Sequence, residues 1–90
     1  MRLDATKKEL KAKKVQCQKI ADRYFKAMYL YKEKIPLRSI YIINYSFNGE
    51  YIDELHFEAE GKDEWSNTVY QTFTVSFLDD RIESECPGYF

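Results

Sequence analysis

A β-hairpin signal near the middle of the chain constrains the fold more than any other feature. Two runs rich in β-branched and aromatic residues, 37–47 and 50–59, flank the dipeptide Asn48-Gly49. Asn-Gly between such runs is the strongest short-range indication of a hairpin, because both residues tolerate a positive φ. We therefore expect two antiparallel strands here, and the rest of the chain has to pack around them.

The length of the hairpin loop decides which side chains share a face of the sheet. A two-residue loop at Asn48-Gly49 pairs Phe47 with Glu50, whereas a three-residue loop ending at Gly49 pairs Ser46 with Glu50. The two registers predict different surfaces, because a one-residue slip moves every side chain of a strand to the other face. The three-residue loop groups the apolar side chains better, and we favour it. It places on one face Tyr41, Ile43, Tyr45, Tyr51, Leu55, Phe57 and Ala59.

The opposite face of this predicted hairpin carries a row of acids. Its members are Ile40, Ile42, Asn44, Ser46, Glu50, Ile52, Glu54, His56, Glu58 and Glu60. Three isoleucines among acids are unexpected on a solvated face. Either they form a contact surface, or more structure covers them, or the register is wrong by one residue.

The first third of the chain predicts a helix over residues 3–34. This stretch contains no Pro or Gly, and Pro36 ends it. A helix of about 30 residues is about 45 Å long, whereas a compact 90-residue domain is only about 30 Å across. The apolar stripe is broad only in the second half. We therefore expect residues 16–31 to cover the sheet and the preceding half to project, to fray or to pair with another copy.

The remainder of the chain predicts more antiparallel strands. Residues 66–78 alternate with period two, residues 61–64 indicate a turn before them, and residues 82–86 predict a short fourth strand. The predicted fold is α+β: one N-terminal helix packed on an antiparallel meander sheet of three to four strands, within residues 37–86, as a two-layer sandwich. We interpret residues 1–90 as a single domain.

Charge is segregated along the chain. Residues 1–34 contain 11 Lys and Arg and 4 Asp and Glu, a net charge of +7, and residues 35–90 contain 3 and 11, a net charge of −8. Such polarity usually concerns partners and solubility rather than fold. No apolar run is long enough to span a membrane, and the first residues lack the apolar region of a signal peptide. We expect a cytoplasmic protein in which Cys17 and Cys86 are free thiols.

No catalytic motif is evident in the sequence. Glu54, His56 and Glu58 share one strand face, where alternate carboxylates beside an imidazole could bind a divalent metal or transfer protons. The sequence supplies neither a pocket nor a fourth ligand for them. We expect that the protein is not an enzyme, and we assign no catalytic residue, cofactor or metal.

The acidic face favours a binding function. We expect a small non-enzymatic protein-binding module of the inhibitor or immunity type, whose acidic face and turns bind a basic surface, for example that of a nucleic-acid enzyme, by nucleic-acid mimicry. The predicted partner-binding residues are Glu50, Ile52, Glu54, His56, Glu58, Glu60, Asp63, Glu64 and Trp65.

Two alternatives belong to other classes. A nucleic-acid-binding protein would use the Lys-rich helix to contact phosphates. Its predicted contacts are Lys7, Lys8, Lys11, Lys13 and Lys14. A homo-oligomeric structural protein, such as a homodimer, would pair its helices or place the basic helix of one copy against the acidic sheet of another.

Overall fold

The chain folds into one helix packed on a four-stranded antiparallel sheet. The elements, in chain order, are α1 (Arg2–Tyr29), a short 3-10 helix (Leu37–Ser39), β1 (Ile40–Phe47), β2 (Ile52–Lys62), β3 (Thr68–Leu78) and β4 (Arg81–Pro87). The strands neighbour one another in the order β1-β2-β3-β4, as in a meander. This computed structural model describes the backbone of residues 2–88 and the side chains of residues 7–88, so residues 1, 89 and 90 of the predicted domain lie outside it. The predicted α+β fold is confirmed.

The hydrophobic core lies between α1 and one face of the sheet, which we call the inner face. At its centre the ring of Phe57 stacks on that of Phe73, with centroids 4.8 Å apart. The buried apolar side chains are Cys17, Ile20, Ala21, Phe25, Ile35, Ile40, Ile52, Leu55, Phe57, Ala59, Phe73, Val75 and Phe77. No element of the described chain covers the opposite face of the sheet, which we call the outer face.

The β1–β2 hairpin has a longer turn than predicted. Phe47 pairs with Ile52, and the four residues between them form the turn. A hydrogen bond from the Asn48 amide to the Tyr51 carbonyl closes it at 3.1 Å. The Asn48 side-chain oxygen also accepts hydrogen bonds from the amides of Glu50 and Tyr51, each at 2.9 Å. The favoured three-residue loop is wrong because this side chain stabilises a wider turn.

Two β-bulges redistribute side chains between the faces. The extra residue is Ile43 in β1 and Asp53 in β2. Ile42 pairs with Phe57 and packs against the core, and the bulge at Asp53 turns Ile52 inward as well. A bulge inserts an unpaired residue, so strict alternation fails on either side of it. The predicted face is therefore wrong for Ile40, Ile42, Ile52 and Tyr41.

The helix is docked over more of its length than predicted. Leu10 packs against the core, and Glu9 accepts a hydrogen bond from the Ile52 amide through its Oε2 atom. Lys13 is buried as well. The prediction that the helix projects before residue 16 is therefore wrong for the part from Glu9 onward. The reason is the sheet: β2 and β3 have 11 residues each, and strands of that length, about 36 Å, match a long helix.

The helix ends at Tyr29, before the predicted end at residue 34. Leu30 adopts a positive φ of 56°, and the Tyr31 amide donates to the Phe25 carbonyl at 3.3 Å. This backbone reversal is typical of helix C-termini. It directs the following residues back to the core, where Ile35 is fully buried.

Two polar side chains of α1 hold the backbone of Ile35. Gln18 Nε2 donates to the Ile35 carbonyl at 2.7 Å, and the Ile35 amide donates to Asp22 Oδ1 at 3.2 Å. Lys26 donates to the other carboxylate oxygen at 2.8 Å. Burial raises the pKa of Asp22, but the hydrogen bonds from Lys26 and Ile35, with the charges of Lys26 and Lys34, outweigh it and leave this pKa below its ordinary value.

Asp22→Asn is expected to lower the free energy of unfolding by about 1 kcal/mol at neutral pH, because the amide keeps only part of these interactions. A carboxyl with a lowered pKa stabilises the fold above its unfolded-state pKa of about 3.9, and this contribution disappears as pH falls through the folded-state value. Below about pH 4, the free energy of unfolding of the wild type should therefore approach that of the Asp22→Asn variant. Urea unfolding of both proteins at several pH values measures this difference. If the difference in free energy of unfolding stayed constant down to about pH 2, the role of the charge would be contradicted.

Candidate functional site

A row of acidic side chains runs along β2 on the outer face. Glu54, His56, Glu58 and Glu60 alternate with the buried Leu55, Phe57 and Ala59. The sequence predicted this alternation correctly, because no bulge interrupts β2 between residues 54 and 62. The neighbouring strands contribute hydroxyl, amide and aromatic groups to the same face: Tyr41, Asn44 and Ser46 from β1, and Thr68, Tyr70, Thr72, Thr74 and Ser76 from β3.

His56 lies at the centre of this row and is only 7% exposed, although no layer covers it. It stands opposite Asn44 in the ladder, and its Nδ1 atom lies 2.7 Å from Asn44 Oδ1. Because that oxygen can only accept a hydrogen bond, Nδ1 is the donor. His56 Nε2 lies 3.4 Å from Glu54 Oε1. The imidazole is thus held between two polar neighbours on the outer face.

One end of the row combines acids with aromatic rings. The Tyr41 hydroxyl donates a hydrogen bond to Glu60 at 3.1 Å, and Glu60 stands opposite Tyr70. This hydrogen bond, then desolvation and the charges of Glu60, Tyr70 and Glu58, raise the pKa of Tyr41. Both tyrosines are exposed. This end of the face therefore offers apolar ring surface beside two carboxylates.

The two tyrosines were not among the predicted binding residues. Alternation along β3 already placed Tyr70 on the face opposite Phe73, so its position was available from the sequence. Tyr41 could not be found in this way, because the predicted register assigned it to the core.

The other predicted binding residues are dispersed. Ile52 is fully buried against the helix and is therefore not part of any contact surface. Glu50 lies in the β1–β2 turn, at the opposite end of β2 from the exposed Glu64 and Trp65 in the turn before β3. Asp63 accepts hydrogen bonds from the amides of Trp65 and Asn67, each at 2.9 Å, so its carboxylate stabilises its own turn.

The lysines predicted to contact nucleic acid are divided between surface and core. Lys7, Lys8 and Lys11 are exposed and Lys14 is half-buried. Lys13 is only 2% exposed: its Nζ atom donates to the Asp79 carbonyl at 3.2 Å and lies 4.3 Å from the centroid of the Phe77 ring. Its position, three residues after Leu10 and four before Cys17, was the signal for burial. Lys13 is therefore excluded from a phosphate-binding set.

The described side chains contain no group of three His, Cys, Asp or Glu placed to bind a metal ion. Along a strand, alternate residues such as Glu54 and His56 are about 6.7 Å apart, which explains why this row does not converge on one point. Burial raises the pKa of Cys17 to about 12, so its thiol stays protonated at neutral pH.

The described part of the chain also contains no helix with the length and apolar character needed to cross a bilayer. Comparison of the chain with protein-family models, with curated proteins and with solved structures finds no match.

Proposed function

We propose that the chain is a small protein-binding module, of the inhibitor or immunity type, that acts by occupying a basic surface of its partner rather than by catalysis. The observation that carries this proposal is the acidic row Glu54, Glu58 and Glu60 beside exposed Tyr41 and Tyr70 on an uncovered sheet face. Carboxylates steer a basic partner and set the register, and tyrosine rings supply buried contact area. A nucleic-acid-binding enzyme would present such a basic surface.

The charge layout supports an approach from this side. The exposed lysines Lys8, Lys11 and Lys19 lie on α1, and α1 covers the inner face. A basic partner on the outer face therefore meets the acids first, with the sheet between it and the lysines. The partner-binding set that we propose is Glu54, His56, Glu58, Glu60, Tyr41 and Tyr70.

An NMR titration that follows individual backbone amides tests the proposal. A Lys- and Arg-rich peptide is added to ¹⁵N-labelled protein. We expect chemical-shift changes for residues 54–60 and for the facing residues of β1 and β3. The triple variant Glu54→Gln/Glu58→Gln/Glu60→Gln should weaken binding about tenfold or more, since each rim charge contributes some tenths of a kcal/mol to about 1 kcal/mol.

The matched control removes the same charge elsewhere. Glu33→Gln/Asp80→Asn/Glu83→Gln changes three exposed acids outside β2. If this control weakens binding as much as the outer-face variant, the peptide responds to net charge alone and the proposed face is wrong.

A second candidate function is nucleic-acid binding, favoured by the exposed positions of Lys7, Lys8 and Lys11 on α1. These lysines would contact phosphates, so binding to duplex DNA should fall steeply with salt. Replacing all three by Gln should abolish a gel shift and leave peptide binding at the outer face intact. If the unsubstituted protein gives no gel shift but binds the peptide, only the outer-face proposal is supported.

A further inference from the structure

The two edges of the sheet differ in how they are protected. Edge strands expose unpaired backbone groups, and proteins commonly blunt them with charges, prolines or bulges. One edge strand, β4, carries Arg81, Glu83 and Glu85 and ends in Pro87. The other edge strand, β1, has no charged residue and no proline between Ile40 and Phe47. A bulge interrupts each of them, so the bulges do not account for the difference.

The uncharged edge strand β1 also exposes large apolar side chains. Tyr41, Ile43 and Tyr45 are 45%, 47% and 43% exposed. The helix packs mainly over β2, so it leaves the free edge of β1 accessible. An uncharged edge with three exposed large side chains is the kind of edge on which another strand pairs.

We propose that β1 pairs antiparallel with β1 of a second copy, across a two-fold axis perpendicular to the sheet. The result is a continuous eight-stranded sheet with both helices on the same side. The pairing is isologous, so the same neutral strand stands on both sides and no like charges oppose each other. This inference does not depend on the proposed function of the outer face.

The distance between the two acidic β2 rows and the width of the helices are compatible with a second copy on this edge. In the dimer, three strand spacings separate the two acidic β2 rows, about 14 Å, which exceeds the Debye length of about 8 Å at physiological ionic strength. The acids therefore oppose dimer formation only weakly. The two helices, each about 10 Å in diameter, fit side by side at that separation.

Sedimentation equilibrium of the full chain tests the proposal. We expect a dimer whose dissociation constant changes less than about twofold between about 0.15 M and about 0.5 M salt, because the interface is uncharged and the acidic rows are screened from each other over that range. Ile43→Lys should raise that constant about tenfold or more, since it removes apolar contacts and introduces like charges near the two-fold axis. Circular dichroism checks that this variant keeps its fold, as expected for a substitution at an exposed position.

The control is Ser84→Lys, which adds the same charge to the exposed β4 edge and should leave the dimer unchanged. Mixing Ile43→Lys with Ile43→Glu should restore association as a heterodimer, because opposite charges then meet across the axis. A monomeric wild type, a dimer dissociated by salt, or a dimer broken by Ser84→Lys but not by Ile43→Lys would each overturn the proposal.

Discussion

Phe57→Ala is expected to lower the free energy of unfolding by about 3–5 kcal/mol, the range for deleting a buried phenylalanine ring. Phe57 is fully buried on β2, a central strand, and its ring stacks on Phe73. The substitution leaves a cavity that the two neighbouring strands cannot close without breaking their ladders. For a domain of this size, the loss is a large part of the total stability of about 5–15 kcal/mol.

The next residue on the same strand is the matched control. Glu58 faces outward, opposite Tyr41 in the ladder, so Glu58→Ala should change stability by less than about 0.5 kcal/mol. Urea unfolding followed by circular dichroism measures both variants. Equal losses of unfolding free energy in the two variants would contradict the assignment of Phe57 to the core and Glu58 to the outer face.

The contrast between these neighbours also indicates how much was predictable from the sequence. Alternation along β2 and β3 correctly separated Leu55, Phe57 and Phe73 from the acids and threonines, because regular strands have a strict period of two. The acidic row of the candidate site was therefore predictable. The helix and the antiparallel meander followed from the absence of breakers before Pro36 and from the Asn-Gly turn.

The failures all concern the register of the hairpin. The bulges at Ile43 and Asp53 depend on contacts between strands, which a single sequence does not reveal. The four-residue turn depends on the local hydrogen bonds that the Asn48 side chain accepts. The bulges and this turn moved Ile52 into the core and Tyr41 out of it. The aromatic part of the candidate site was lost with that register.

Lys13 illustrates a different limit. Its helical position indicated the core, and its charge indicated solvent. Tertiary structure resolves the conflict. The methylene chain of Lys13 is buried, and its ammonium group donates to the Asp79 carbonyl and lies over the Phe77 ring. Those partners are more than 60 residues away in sequence, so their position could not be inferred from the helix alone.

Gly61→Ala is expected to destabilise the protein by about 1–3 kcal/mol, the usual range for overpacking a core. Gly61 was predicted to lie in a turn, but it belongs to β2 and is buried beneath the end of the helix. A Cβ atom there would lie 2.7 Å from Phe25 Cδ1 and 2.9 Å from Ile35 Cδ1. Both neighbours are fully buried, so neither has free space into which it can retreat. Thermal or urea unfolding of the variant measures the loss.

A double-mutant cycle separates this clash from the general effect of replacing a glycine. Phe25→Leu shortens the side chain that the new methyl group meets, so Gly61→Ala should cost less in that background, with a coupling of about 0.5–3 kcal/mol. Gly49 provides the control: its φ is 101°, and apart from Gly49 and its two chain neighbours no residue has an atom within 4 Å of a Cβ built there. Gly49→Ala should destabilise the protein by about 1 kcal/mol through backbone strain alone, with no coupling to Phe25→Leu. If Gly61→Ala behaved in the same uncoupled way, the close approach of helix and sheet at Gly61 would be wrong. An isolated glycine inside a strand pattern thus marks where another element approaches the backbone, and here that element is the end of the helix that anchors Ile35.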